Sequence, residues 1–113
     1  MNNVPNSLRK LESEIAYQIA KANKRTQPLD KALPIADFGN WRLIKNRYPY
    51  DEIFEKHDML IALKGQTQVD DEVQGIIEML TDYDIWFVNF VHRRSVPDIF
   101  HIHLGKYKKR DSR

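Results

Sequence analysis

Leu8, Leu11, Ile15, Ile19 and Ala22 follow one another at steps of three and four, which is the period of one face of a helix. Ser7 stands where a helix N-cap is wanted. The chain is therefore expected to open with an amphipathic helix that ends near Lys24-Arg25. Residues 26–40, with Pro28, Pro34 and Gly39-Asn40, read as a connecting loop and turn. Trp41 to Asn46 reads as a strand stopped by Tyr48-Pro49-Tyr50-Asp51. From His57 to Leu63 the two-residue period puts His57, Met59, Ile61 and Leu63 on one face of a second strand. Asp70 and Asp71 then begin a helix whose Val73, Ile76, Ile77 and Leu80 fall at helical spacing. Ile85 to Val91 is almost wholly apolar and too short for a helix, which predicts a central strand covered on both faces. A last strand, Ile99 to Leu104, separates Ile99, His101 and His103 from Phe100, Ile102 and Leu104. Helix, two strands, helix and two strands make an α+β pattern with a mostly antiparallel sheet packed by helices.

Composition narrows the class. A chain of 113 residues makes one domain, in which 1–40 supply the N-terminal helix and loop and 41–113 the core with a basic C-terminal tail. No run approaches the ~20 apolar residues of a membrane span, and the start of the chain lacks the apolar core of a signal peptide, so a cytoplasmic protein without membrane contact is expected. With no cysteine, disulfides, thiolate zinc sites and thiol nucleophiles are excluded. The net charge of +2 divides into +2 over residues 1–30, −5 over 31–92 and +5 over 93–113. The basic stretch Lys106 to Arg110 reads as a solvated strand end and tail, and nucleic acid is not expected as a partner.

Four histidines are then the reactive reserve. His101 and His103 lie about 7 Å apart on one sheet face, an arrangement open to three readings. The pair is solvated or hydrogen-bonded on an open face. Or it ligates a metal, with His57, His92 and Asp98 as the remaining candidates. Or a neutral imidazole attacks phosphorus, with Ser95 and backbone N–H groups holding phosphate oxygens and Asn89 orienting a neighbour or a sugar.

The segment WRLIKNRYPYD (41–51) followed by HDMLIALK (57–64) resembles the first strand pair of the histidine triad (HIT) superfamily. The segment NFVHRRSVP (89–97) followed by IFHIHL (99–104) is similar to its Asn, turn, Ser-Val and His-x-His-x-His strand in order and approximate spacing. The resemblance covers residues 41–107 and leaves the N-terminal helix outside. It implies a HIT-like fold and a nucleotide or nucleotide-conjugate substrate. The implied activity is nucleotidyl hydrolysis or transfer through a covalent nucleotidyl-histidine, without cofactor or metal, in a homodimer. By position it makes His101 the nucleophile and His103 the third histidine. Ser95 is the hydroxyl on the phosphate, Asn89 lies beside the site, and His57 supports the catalytic strand. Asn46 belongs to the ribose side, and Arg94 is placed to contact phosphate. If His101 were instead the first histidine, Gly105 would stand third, and the distance from Ser95 fits less well. Ile99 stands where the triad's first histidine belongs, so the triad is a dyad. A catalytically inactive nucleotide- or partner-binding protein is the alternative, and a His-ligated metal protein the second alternative.

Overall fold

The structure is a computed structural model of the chain and describes residues 9–22, 32–89 and 99–109. Its elements run α1 (Leu11–Ala22), β1 (Pro34–Asp37), β2 (Trp41–Lys45), β3 (Phe54–Ala62), α2 (Asp71–Met79), β4 (Ile85–Phe87) and β5 (His101–Tyr107). The five strands form one sheet in the order β1-β2-β3-β5-β4, with every pairing antiparallel. The fold is α+β.

The sheet's two faces follow from the alternation along β3 and β5. One face carries Trp41, Leu43, Leu60, Ala62, Phe100, Ile102 and Leu104 and is closed by Val73 and Ile76 of α2. Trp41, Leu60 and Ile102 are wholly buried, the two aliphatic side chains each worth about 1.5–3 kcal/mol. Asp70 holds α2 in register by accepting the Val73 N–H at 2.8 Å as its N-cap. The buried Asp58 on this side accepts the Tyr83 hydroxyl, and desolvation, with Asp58 behind it, pushes that hydroxyl well above the usual tyrosine range. The opposite face carries a smaller apolar cluster of Ile44, Met59 and Ile61, packed with Ile99 and Leu63. Next to that cluster lie the histidines.

Four features differ from the sequence reading. Residues 34–37, read as loop, form the edge strand β1, paired with β2 through a turn in which Gly39 takes φ +78°. The N-terminal stripe faces the other way: Tyr17 and Ala20 are buried, while Leu11, Ile15 and Ile19 are exposed. Helical spacing is correct, but α1 docks by its opposite side. The apolar run from Ile85 is an edge strand, not a central one, with Ile85 and Trp86 exposed. The central position beside β3 belongs to β5, which runs past Leu104 to Tyr107 because Lys56 and Phe54 of a longer β3 pair with Lys106 and Tyr107. Lys106 and Lys56 both reach Asp82, at 3.3 and 2.6 Å, so part of the basic stretch is paired at the sheet surface. Ser7, Lys24-Arg25 and the stretch from Phe90 to Asp98 lie outside the described residues. No helix among the described residues is long and apolar enough to cross a membrane.

Gly105 sits opposite His57 in the β3–β5 register. A Cβ there would lie 2.5 Å from the Phe54 ring, which itself packs edge-on against His57 at 5.3 Å. Gly105→Ala is therefore expected to displace Phe54 and lower stability by about 1–3 kcal/mol, measured by urea unfolding. Unchanged stability would mean that the ring yields freely.

Candidate functional site

Backbone pairing brings the site together. His103 lies opposite Met59 and His101 opposite Ile61, so the two-residue period turns both toward the face that also holds His57. All three imidazoles are buried, His57 and His103 at 4% exposure and His101 at 6%, which rules out a solvated pair on an open face. His103 is flanked by the Phe87 ring, nearly parallel at 4.7 Å and 7°, and by the Tyr50 ring at 5.8 Å and 19°. The His101 ring stands edge-on to His103 at 5.2 Å. Short β4 thus has a definite task, since its register opposite β5 delivers Phe87 to His103.

The hydrogen bonds set the proton positions. The Tyr50 backbone N–H donates to His57 Nδ1 at 2.9 Å, so Nδ1 is bare and a neutral His57 carries its proton on Nε2. That Nε2 meets His103 Nδ1 at 2.8 Å and must donate to it, which puts the His103 proton on Nε2 in turn. The Asn89 side-chain amide meets His103 Nε2 at 3.3 Å and the Tyr50 hydroxyl at 3.4 Å. The proton order requires it to present its carbonyl oxygen to His103, since an imidazole N–H needs an acceptor. His57 is held below the ordinary histidine range, to about 3, by desolvation first and the charge of Arg9 second. His103 is held to about 2 by desolvation, then by His57, His101 and Arg9. Both are neutral at pH 7, as the chain of donors demands.

His101 is oriented separately. Its Nδ1 lies 2.9 Å from the Ile99 carbonyl oxygen, to which only an N–H can donate. A neutral His101 therefore keeps Nε2 unprotonated, the state a nucleophile requires. Because the Ile99 partner is a backbone carbonyl, isoleucine at that position does not remove it. The Ile99 side chain packs beside Ile44, Met59 and Ile61.

Of the expected site residues, Asn46, His57, Asn89, His101 and His103 converge on this face. Asn46 serves two ends: its Oδ1 accepts the Tyr48 N–H at 2.8 Å in a local turn, and its Nδ2–H lies against the His57 ring, 3.4 Å from the bare Nδ1 to which it can donate. Arg94 and Ser95 lie outside the described residues, as do His92 and Asp98 of the alternative metal set. Among the described residues, no group of three or more histidines and carboxylates is placed to hold a metal ion. Three participants were not expected from sequence as site residues: Tyr50, Phe87 and Arg9. The Arg9 guanidinium lies 4.1 Å from the Tyr17 ring centroid and 5.0 Å from that of Tyr50. Tyr50 stands within the sequence segment that resembles the HIT pattern, whereas nothing in the pattern around Arg9 signals a role.

The sheet and histidine cluster define an α+β domain with buried imidazoles on one sheet face, of which the His57–His103 pair is neutral. Compared with protein-family models, with curated proteins and with solved structures, the chain matches none.

Proposed function

We propose that the chain is a HIT-like nucleotide-binding domain that hydrolyses or transfers a nucleotidyl group through His101. The observation that carries this reading is the bond from His101 Nδ1–H to the Ile99 carbonyl oxygen at 2.9 Å, which fixes the tautomer so that the neutral form of the ring carries its lone pair on Nε2. In the first step that lone pair forms a bond to the α-phosphorus while the bond from phosphorus to the leaving group breaks, and the leaving group takes up a proton from solvent. In the second, water attacks the phosphorus and gives up a proton to solvent, the P–Nε2 bond breaks, and the nucleoside monophosphate leaves with the His101 lone pair restored. Holding the reactants in place and stabilising the charge on the phosphoryl oxygens supply most of the rate. By the resemblance, Asn46 belongs to the ribose side and Arg94 and Ser95 to the phosphate. His103 lies beside the proposed nucleophile, and Asn89 lies against His103. A homodimer belongs to the same reading, supported by the exposed apolar side chains of α1 and of β4.

The test is incubation of the purified chain with adenosine phosphoramidate or a dinucleoside polyphosphate, with release of AMP expected. A second reading, a binding protein that has lost the chemistry, is favoured by one observation: Ile99 fills its position by apolar packing. Activity that appears only after Ile99→His would establish that reading and overturn the first.

A further inference from the structure

Helix α1 lies outside the stretch that resembles the HIT pattern, yet it is tied to the turn that holds His57. Arg9 Nε donates to the Tyr48 carbonyl oxygen at 2.7 Å, and the same guanidinium pairs with Glu14 at 3.1 Å. Its planar face lies against Tyr17 and Tyr50, and Tyr17 in turn meets Tyr48 edge-on at 5.2 Å. A second tie comes from Asp51, whose carboxylate accepts the Lys10 N–H at 2.7 Å and the Ser13 hydroxyl at 2.6 Å. Between these two anchors lies Tyr50, whose backbone N–H fixes the bare nitrogen of His57.

We propose that Arg9 is a positioning residue for the buried histidine pair. With Asp51 it clamps α1 onto the 48–51 turn, holds the Tyr50 N–H on His57 Nδ1, and so sets which nitrogens of His57 and His103 carry protons. Without the clamp, the turn loses its register against β3 and His57 is free to take either tautomer, which leaves His103 Nδ1 without a fixed donor. Among the described residues, the groups facing the pair are Arg9 with its partner Glu14 from α1, the Tyr50 ring and hydroxyl from the turn, and His101 from β5. The charge of Arg9 opposes protonation of both imidazoles. The same residue therefore acts by geometry and by field.

Nitrogen-edited NMR of the histidine rings in the full chain reads the tautomers directly. The wild type is expected to show one form for the His57 and His103 rings, bare at Nδ1 and protonated at Nε2, through neutral pH. Arg9→Gln is expected to mix the tautomers and move both titration midpoints up, and Arg9→Lys, which keeps a charge and a donor, to restore the single form. Arg9→Gln with a wild-type ring spectrum overturns the proposal. Should Arg9→Gln fail to fold, Asp51→Ala releases the second tie and leaves Arg9 in place. Mixed tautomers there support the clamp and wild-type tautomers refute it. Turnover adds a readout that rests on the proposed function: kcat/KM falls about ten- to a hundredfold with KM little changed. If the chain turns over no nucleotide at all, that function fails while the ring spectra still decide the role of Arg9.

Discussion

Replacing His101 by alanine is expected to reduce AMP release from adenosine phosphoramidate by at least about a thousandfold, because in the proposed reaction the substitution removes the atom that bonds to phosphorus. Among the described residues nothing nearby substitutes for it. His57 and His103 are committed to each other through a 2.8 Å bond, with the Tyr50 N–H on one end and Asn89 on the other. Neither therefore offers a free lone pair. The prediction separates chemistry from folding: a buried histidine cut to alanine also costs stability, so the variant's melting is followed alongside its turnover. A folded His101→Ala chain that releases AMP at the wild-type rate would remove His101 from the reaction. Asn46→Ala should act differently, raising KM more than it lowers kcat, since its expected partner is the sugar.

The second large effect is on stability in mild acid. Both members of the pair have folded-state values far below the ordinary 6.5, about 3 for His57 and about 2 for His103, with desolvation the main cause. An unfolded chain takes up both protons as pH falls through 6.5, whereas the folded chain does not until near pH 3. The stability that comes from the neutral pair is thus fully present above pH 6.5 and lost as pH falls below it. At about 1.4 kcal/mol per proton and pH unit, the two together cost about 5 kcal/mol by pH 4.5, comparable with the whole stability of many small domains. Urea midpoints measured from pH 7.5 to 4.5 should fall steeply, and the fall should be about two protons shallower in His57→Gln/His103→Asn. The carboxylates of Asp51 and Asp82, both held below their ordinary 3.8, titrate beneath this window and do not obscure it. A wild-type chain whose stability is flat across the window would contradict the burial of a neutral pair.

Much of this arrangement is legible in residue order. Two-residue alternation puts His101 and His103 on one face of their strand and His57 with Met59 and Ile61 on one face of another, the β3–β5 pairing makes those faces one, and helical spacing gives α2 from Asp70 and Asp71 onward. Alternation is a property of the single chain, which is why it survives folding. The parts that escape it depend on what comes to lie opposite. The run of apolar residues at Ile85 looks like a sheet centre, but hydrophobicity alone does not distinguish a central strand from an edge strand with one wet side. The N-terminal helix carries apolar residues on two sides, and its ties to the 48–51 turn, polar ones and the Tyr17–Tyr48 ring contact alike, decide which side docks. β1 is four residues long and begins at a proline, so no pattern announces it. Within the site, Asn46, Asn89 and the histidines are readable by type, whereas the part of Tyr50 rests on its backbone N–H, a donor that every non-proline residue has.

The most direct test of the central claim is to trap the intermediate. Full-length chain mixed with adenosine phosphoramidate, quenched in base and digested, should yield a peptide spanning 99–106 that carries one AMP as an acid-labile, base-stable phosphoramidate on His101, and His101→Ala should yield none. An adduct on His103 or His57, or steady AMP release with no labelled histidine, would contradict the account.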